Sequence, residues 1–259
     1  MRDGGLATIG GGNHFVEIGV VEEILDASLA RIWGVRRGQL SILVHSGSRN
    51  VGRAIGGLWR DRARSRWPEG HRHPPGGLFP LVDPDEIGEY LRAEATAANY
   101  GFLNRALLAE RVRLRLREQF GDLPIPLIFD LPHNLTFPHD PGWITWKGAC
   151  PAHAGQPVII PGSMGAASYL AVGRGSETHP CSASHGTGRR LGRFEMTRQG
   201  ARHGPLGLEG VDCVTLRAER VIEEAPVAYK PIEPVVQAQV EARILDPVAR
   251  CAPVLTFKG

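Results

Sequence analysis

Short apolar runs that end in polar, glycine-containing loops recur along this chain. Residues 40–44 (LSILV) predict a buried strand, and the loop His45-Ser46-Gly47-Ser48-Arg49 follows it directly. A helix is predicted next, from about residue 51 to residue 66. A strand, a glycine loop and a helix in this order aim backbone N–H groups at an anion, so phosphate is a reasonable ligand for the loop.

The clearest helix signal covers residues 83–120. Asp83 is placed to cap the helix, Pro84 suits its first position, Glu86 would complete a capping box, and Gly121 is placed to end it. Apolar positions fall roughly on one face, and most of a run of arginines between residues 105 and 117 lies elsewhere. That run could bind RNA, but a solvated helix face is the favoured interpretation.

Three further strands are predicted, two of which lead into candidate site loops. Residues 126–131 precede Pro132-His133-Asn134, and residues 157–160 precede Pro161-Gly162-Ser163-Met164-Gly165. Residues 253–257 predict a terminal strand. Reactive groups are commonly held on short loops at the ends of rigid strands.

Composition narrows the class of protein. The chain has 259 residues, 42% of them hydrophobic, and no apolar run approaches the roughly 18 residues of a membrane span. Because the first residues also lack the apolar run of a secretory signal, we expect a cytoplasmic protein. We find no internal repeat and no long linker, so one continuous domain over residues 1–259 fits best.

Charge and cysteine content leave a nucleic-acid partner open. The net charge is +3, and the basic residues are almost all arginine, whose planar guanidinium suits phosphate. The four cysteines lie far apart with no Cys-x-x-Cys spacing, so we expect reduced thiols, most simply small buried apolar side chains.

Four of the ten histidines lie in similar settings: His14, His45, His133 and His185 each sit among glycine, asparagine or serine residues. One such residue would be an ordinary loop histidine, but four favour one shared site for a transition metal or for acid, base or nucleophilic chemistry. None has the local His-x-x-x-His spacing, so any metal site must be assembled from distant segments. By contrast, the histidines in residues 71–77 predict a solvent-exposed turn.

Two loops offer groups that suit a nucleotide. Residues 161–165 with Ser168 supply hydroxyls and N–H groups, and residues 185–189 supply an imidazole and a guanidinium. Neither is a Walker loop, and Gly10-Gly11-Gly12 is not a Rossmann fingerprint. Any nucleotide is therefore bound by an unusual scaffold.

The ordered motifs together resemble the RtcB family of GTP-dependent RNA ligases, over essentially the whole chain. The matching motifs are residues 13–17 (NHFVE), 45–49 (HSGSR), 132–134 (PHN), 161–165 (PGSMG), 184–189 (SHGTGR), 225–230 (APVAYK) and 258–259 (KG). The resemblance implies an α+β fold, a single domain with mixed sheets flanked by helices.

The resemblance also implies a reaction. The histidine that matches His185 attacks the α-phosphate of GTP with the help of Mn²⁺, forming a phosphoramidate to GMP and releasing pyrophosphate. The RNA 3′-phosphate then takes the guanylyl group, and a 5′-hydroxyl attacks the activated end and expels GMP. A 2′,3′-cyclic phosphate is first opened by water. Metal ions and arginine neutralise the charge that gathers on phosphoryl oxygens.

Site residues follow by the same resemblance. His14, His45 and His133 match metal ligands, and Glu17 is placed for the edge of guanine. The implied guanylate pocket contains Asn13, His14, Phe15, Val16, Glu17, His133, Asn134, Pro161, Gly162, Ser163, Met164, Ser168, His185, Gly186, Thr187, Gly188, Tyr229 and Lys258. The residues implied to contact RNA phosphates are Arg49, Arg189 and Arg193.

The chain departs from the family pattern in three places. The family's Asp-x-Gly-Cys-Gly segment would precede Asn13, so we expect this chain to be truncated before it and a second chain or segment to supply the missing Asp and Cys ligands. Asp212-Cys213 does not replace that segment, because it lacks the adjoining glycines. Trp146 stands where arginine is usual, and Pro231 where aspartate is usual.

Two alternatives stay open at the level of sequence. The missing ligands leave room for a noncatalytic nucleotide- or RNA-binding remnant of such a ligase. The three histidines that match metal ligands leave room for a metallohydrolase acting on phosphate esters.

Overall fold

The computed structural model describes residues 4–199 and 206–259. The strands are β1 (Phe15–Ile24), β2 (Leu40–His45), β3 (Asn134–His139), β4 (Gly142–Lys147), β5 (Ala149–Pro151), β6 (Pro157–Ile160), β7 (Ser168–Gly173), β8 (Ser182–Ser184), β9 (Asp212–Thr215) and β10 (Leu245–Lys258). The helices are α1 (Ala27–Ile32), α2 (Arg49–Ser65), α3 (Pro84–Phe120), α4 (Arg193–Gln199), α5 (Glu219–Glu223) and α6 (Ile232–Glu241), with a 3₁₀ turn at Pro226–Ala228. Within these residues no helix combines the length and apolar character needed to cross a bilayer.

The main sheet is built around β10. Its strand order is β2-β1-β10-β7-β6, all antiparallel, and β9 adds to β10 as a parallel partner. Phe15 pairs with His45, and Val16 pairs with Phe257. The beginning of β1 therefore meets the ends of β2 and β10, which brings His14, His45 and Lys258 to one end of the sheet.

Both faces of this sheet are covered by helices. Along β7, Tyr169 and Ala171 pack in a core cluster with Ile232 of α6, whereas Leu170 faces a second cluster that contains Ala30 of α1. Alternate residues of a strand point to opposite faces, so α1 and α6 lie on opposite sides. The expected α+β fold with mixed sheets flanked by helices is confirmed.

Both long helices predicted from the sequence are present. In α3, the Asp83 carboxylate accepts hydrogen bonds from the backbone N–H groups of Asp85 and Glu86, as the capping signal predicted. The Glu86 carboxylate instead pairs with Arg62 and Arg66, which join α3 to α2. The arginines of α3 also differ from a purely solvated face, because several bind backbone carbonyls or carboxylates nearby.

The strand predictions had mixed outcomes. Residues 157–160 form β6, and residues 253–257 lie within the longer β10. Residues 40–44 form β2, but it is an edge strand whose side chains are only partly buried, and Leu40 is 65% exposed.

The strand predicted at residues 126–131 is wrong, because this segment forms no ladder with any described strand. Pro124 and Pro126 have no N–H to donate, and the Ile125 carbonyl accepts a hydrogen bond from Arg113 Nε instead of from a neighbouring strand. The segment therefore runs as a loop into His133.

Two smaller expectations hold. None of the four cysteines forms a disulfide, and Cys150 and Cys251 are buried as predicted. His71 and His73 are exposed in an irregular turn.

Candidate nucleotide and metal site

The four loop histidines converge from four distant segments. His14 precedes β1, His45 ends β2, His133 precedes β3 and His185 follows β8. The Nε2 atoms of His45 and His133 lie 3.2 Å apart, and the rings of His133 and His185 stack with centroids 3.9 Å apart. The His14 and His45 ring centroids are 5.5 Å apart. The fold thus assembles one imidazole cluster.

Three of these histidines could hold a metal ion together. Ligand nitrogens of His45, His133 and His185 all lie within 4.8 Å of one another. This set differs in one member from the His14, His45 and His133 set implied by resemblance, because His14 lies beside the group and His185 completes it. Among the described residues, three buried imidazole nitrogens have no hydrogen-bond partner: His14 Nδ1, His45 Nδ1 and His185 Nε2. Three imidazoles whose ligand nitrogens lie this close together fit a transition metal ion.

Burial keeps these histidines neutral at neutral pH. Desolvation, followed by the nearby basic groups, lowers the pKa of His14 and of His133 to about 4. Burial and then His133 lower the pKa of His185 to about 3, and burial and then His185 hold the pKa of His45 well below its ordinary value. Neutral imidazole is the form that binds a metal or attacks phosphorus.

The tautomer of His185 follows from its hydrogen bonds. Its Nδ1 lies 3.2 Å from the Ile159 carbonyl oxygen, which only accepts, so Nδ1 carries the proton. Its backbone N–H donates to the Gly148 carbonyl at 3.1 Å. The lone pair of His185 is therefore on Nε2, which is buried and has no hydrogen-bond partner among the described residues.

A cavity of about 210 Å³ opens beside His185. Its lining brings together twelve residues, namely Asn13, His45, Pro161, Gly162, Ser163, His185, Gly186, Thr187, Gly188, Arg189, Arg193 and Tyr229. The Oδ1 atom of Asn13 is buried and, within the described part of the chain, unpartnered. The implied pocket and RNA-contact residues that do not line the cavity are His14, Phe15, Val16, Glu17, Arg49, His133, Asn134, Met164, Ser168 and Lys258.

Glu17 and Ser168 form a buried polar pair next to this cavity. Glu17 is 2% exposed, and its Oε1 accepts a hydrogen bond from the Ser168 hydroxyl at 3.4 Å. The Ser168 oxygen also accepts from the N–H of Gly162, a lining residue, at 3.1 Å. Burial raises the pKa of Glu17 to about 8, and its Oε2 has no partner among the described residues. A buried polar atom left unpaired in this way fits a polar ligand that supplies the missing hydrogen bond.

Four further residues of the implied pocket are Phe15, Val16, Asn134 and Lys258. Phe15 and Val16 are buried in β1, and Asn134 Nδ2 contacts His133 Nδ1 at 3.0 Å. Lys258 Nζ donates to the carbonyl oxygens of Gly12 and His14, at 3.3 and 3.4 Å. Burial lowers the pKa of Lys258 to about 8.

The Met164 sulfur lies 3.5 Å from the Cys213 sulfur. Cys213 therefore contacts one residue of the implied guanylate pocket but does not belong to the group of three histidines.

Glu224 organises the arginine side of the cavity and was missed by sequence reasoning. It is fully buried, and its carboxylate accepts from Arg189 Nη1 at 2.9 Å, from Arg193 Nε at 2.6 Å and from the Tyr229 hydroxyl. Burial alone would raise the pKa of Glu224, but the Tyr229 and Arg193 hydrogen bonds hold it below its ordinary value. In the sequence this residue follows another glutamate at a helix end, which gives no sign of such a role.

The three arginines that the resemblance assigns to RNA phosphates differ in how far their guanidinium groups are already hydrogen-bonded or buried. Arg189 donates to Leu191, Glu223, Glu224 and Tyr229, which uses four of its five N–H groups. Arg193 keeps half of its side chain exposed. Arg49 donates to Thr8, and its guanidinium crosses Gly10, where an added Cβ would overlap it and approach His14 Nδ1 at 2.9 Å.

Asn104 of α3 is a second residue that sequence reasoning missed. It is fully buried, and its Nδ2 donates to the Thr8 carbonyl, the Ser46 hydroxyl and the Gly47 carbonyl at 2.9 to 3.1 Å. Its Oδ1 accepts from the Thr8 N–H at 3.1 Å. One side chain therefore fixes the segment before His14 to the loop after His45. A lone asparagine inside an amphipathic helix carries no local signal of this.

Comparison with known proteins identifies the family. A family model described as tRNA-splicing ligase RtcB matches residues 2–259. The chain belongs to the RtcB family. The resemblance inferred from the ordered motifs is thereby confirmed.

Relatives in the RtcB family come from archaea and bacteria. The chain is 32% identical to the tRNA-splicing ligase RtcB of Pyrobaculum aerophilum, with 98% of this chain and 60% of the relative aligned. It is 37% identical to the RNA-splicing ligase RtcB2 of Escherichia coli, over 98% of this chain and 65% of the relative. The RNA-splicing ligase RtcB of Mycobacterium bovis is 32% identical, over 99% and 65%. The chain thus spans less than two thirds of the length of these relatives.

Proposed function

We propose that this chain carries the guanylylation centre of a GTP-dependent RNA ligase. The reaction joins RNA 3′-phosphate or 2′,3′-cyclic phosphate ends to 5′-hydroxyl ends through a His185–GMP intermediate, in the cytoplasm. The observation that carries the proposal is His185 Nε2, a neutral, buried nitrogen without a partner among the described residues, held beside His45 and His133 at a cavity. The names of the relatives, which are tRNA- and RNA-splicing ligases, support it.

His185 acts as the nucleophile. Its Nε2 lone pair forms a bond to the α-phosphorus of GTP, and the bond from that phosphorus to pyrophosphate breaks. The ring becomes positively charged, and the hydrogen bond from Nδ1–H to the Ile159 carbonyl stabilises this charge and fixes the ring plane. The stacked ring of His133 restricts rotation of His185 further.

Groups that can bind a metal ion or a phosphate lie beside His185. His45 and His133, with His14 beside them, would hold Mn²⁺, which when bound neutralises charge on phosphate oxygens. Arg193 lines the cavity with its Nε fixed by Glu224, so its remaining donors are oriented in advance.

Glu17 and Ser168 suit the guanine base. The edge of guanine presents N–H donors, and Glu17 Oε2, buried and without a partner among the described residues, accepts from them once the carboxyl has lost its proton. The cavity, at about 210 Å³, is smaller than the roughly 300–1,000 Å³ of typical ligand pockets. It therefore accounts for the part of a nucleotide next to His185, and the base extends toward Glu17.

The later steps return His185 to its starting state. An oxygen of the RNA 3′-phosphate attacks the phosphorus of the His185–GMP bond, and the electrons of the N–P bond return to Nε2. The RNA 5′-hydroxyl then attacks the activated 3′-phosphate, loses its proton and releases GMP. Water opens a 2′,3′-cyclic phosphate before these steps.

Labelling with GTP tests the proposal. The chain is incubated with Mn²⁺ and GTP carrying ³²P at the α position, both alone and with a polypeptide that carries the family's Asp-x-Gly-Cys-Gly segment. We expect an acid-labile label on wild type in at least one arm and none on His185→Gln. An unlabelled wild type in both arms would overturn the proposal.

A noncatalytic nucleotide-binding protein is the second candidate. One observation favours it, namely that the metal-binding group among the described residues contains only imidazole nitrogens and no carboxylate or thiolate. Binding of GTP without any label on His185 would support this candidate, and turnover by the chain would exclude it.

A further inference from the structure

One exposed face of α2 carries a line of arginines that begins at the candidate site. Because successive helical residues are rotated by about 100°, positions 49, 53, 60 and 64 fall within an arc of roughly 60°. All four are arginines, and Arg53, Arg60 and Arg64 are exposed. Trp59 and Ala63 are buried toward the rest of the protein. We call Arg49, Arg53, Arg60 and Arg64 the α2 arginine line.

Arg49, the first member of the line, lies next to the histidine cluster. The Arg49 guanidinium crosses Gly10 and lies close to His14 there, as the position of an added Cβ shows. From Arg49 to Arg64 the helix rises about 22 Å, at 1.5 Å per residue. The line therefore leads away from the site across the surface.

The charges on this face are poorly compensated. The helix contains five arginines and one acidic residue, Asp61, which pairs with Arg60 at the surface. Arg62, the arginine outside the line, faces α3 and pairs with Glu86 and Glu89. Among the residues that the structure describes, Arg53 and Arg64 form no ion pair with a carboxylate, and the positive charge of Arg53 lowers the pKa of Arg49 after burial does. Like charges left together in this way suit a polyanion.

The middle of the line leaves room for a close approach. Gly56 and Gly57 lie between Arg53 and Arg60, and a Cβ added at either would meet nothing within 4 Å. Glycine inside a helix lowers stability by roughly 1 kcal/mol relative to alanine, so two adjacent glycines destabilise α2 locally. They leave the helix surface flat between two pairs of arginines.

We propose that the α2 arginine line binds the phosphate backbone of the RNA strand beyond the end that reacts at His185. This rests on the proposed function in one respect, since it takes RNA as the substrate. With roughly 3.4 Å of rise per phosphate on a stacked strand, about 22 Å corresponds to on the order of six nucleotides. The contacts are to phosphate, so they are independent of base sequence.

RNA binding by two charge-matched double variants tests this inference. Arg53→Gln with Arg64→Gln removes two members of the line, and Arg36→Gln with Arg37→Gln removes the same charge elsewhere. Arg36 and Arg37 are exposed and lie before β2, at the end of that strand opposite His45. The probe is a fluorescein-labelled single-stranded RNA of twelve nucleotides with a 3′-phosphate, titrated without GTP at several salt concentrations.

The line variant should bind this RNA about tenfold more weakly than wild type, with a salt slope reduced by roughly 1.4, which is about 0.7 for each lost phosphate contact. The control variant should stay within about twofold of wild type. A trinucleotide, too short to reach Arg64, should show a much smaller difference between the two variants. Equal weakening by both variants, no effect of the line variant, or no binding of the RNA by wild type would each overturn the inference.

A further variant distinguishes weaker RNA binding from a loss of folding. Gly57→Glu places a negative charge in the line at a position with open space, and glutamate favours the helix more than glycine does. It should weaken RNA binding while the melting temperature is unchanged or raised. If wild type shows these binding effects but takes no label from GTP, the RNA contact stands and the ligase proposal falls.

Discussion

The imidazole ring of His185 stacks on that of His133, with centroids 3.9 Å apart and planes 12° apart. This contact joins the loop after β8 to the loop before β3, which are separated by about fifty residues of sequence. Because His133 also meets His45 at 3.2 Å, one ring links the proposed nucleophile to the proposed metal ligands.

The first prediction concerns the metal. His45→Gln removes one nitrogen from the group of three and keeps a polar side chain of similar size. We expect the affinity for Mn²⁺ to fall about tenfold or more, since even residues that only support a metal ligand are worth 10- to 100-fold. Titration of free Mn²⁺ by electron paramagnetic resonance measures this. His71→Gln, in an exposed turn, should bind like wild type, and equal affinities for all three proteins would refute the assignment.

The second prediction concerns pH. Burial raises the pKa of Glu17 from 4.5 to about 8, so the folded protein holds a proton that the unfolded chain has lost. The free energy of unfolding should therefore fall as pH rises from about 4.5 to 8, by at most about 1.4 kcal/mol per pH unit. Glu17→Gln stays neutral and should lack this decline. Urea unfolding without nucleotide at pH 5, 6.5 and 8 compares the two proteins, and parallel pH profiles would count against a buried neutral carboxyl.

The third prediction concerns Glu224. Glu224→Gln removes the negative charge that holds Arg189 and Arg193 and leaves their guanidinium groups poorly paired. We expect a loss of about 3 kcal/mol of unfolding free energy, as is usual when one partner of a buried ion pair is removed. The matched control is Asp246→Asn, which breaks the exposed pair with Arg174 and should cost less than about 1 kcal/mol. Similar losses of unfolding free energy in both variants would show that the buried ion pairs of Glu224 stabilise the protein no more than an exposed ion pair does.

The fourth prediction concerns Asn104. Asn104→Leu removes the partner of the Thr8 N–H and of the Gly47 carbonyl, whereas the Ser46 hydroxyl keeps its bonds to the carbonyls of Thr8 and Ile9. We expect a loss of about 2 kcal/mol or more, at roughly 1 kcal/mol or more for each buried group left unpaired. Affinity for Mn²⁺ should also fall, because Ser46 and Gly47 follow His45 directly. Asn99→Leu changes an exposed residue of the same helix, and it should leave both measurements near wild type.

Local signals were enough to predict the helices α2 and α3. An N-cap at Asp83, a proline at the first position and a glycine after the last turn act over a few residues, and the structure uses each of them. The strand β6 was predicted for the same reason, since a short apolar run ending at a proline and a glycine is a local pattern.

Strands that depend on distant partners were predicted less well. Residues 126–131 have the sequence pattern of a strand, but no neighbouring described strand supplies a ladder, and the segment stays unpaired. In contrast β1 was not predicted, although it pairs with both β2 and β10, and the β10 partner is more than 220 residues away. The weak patterns after Arg189 likewise concealed β9 and α6, which are stabilised by packing on β10.

The sequence by itself determined the family, the α+β class and the group of loop histidines around which the proposed chemistry is built. Only the tertiary structure decided that His185 and not His14 completes the close group of nitrogens, that Arg189 is held by Glu224, and that Asn104 joins two site loops. The reason is physical. Motifs and caps act through neighbours in the chain, whereas these contacts arise where β1, β2, β10 and α3 pack together, and no local pattern records which side chains that packing brings within reach.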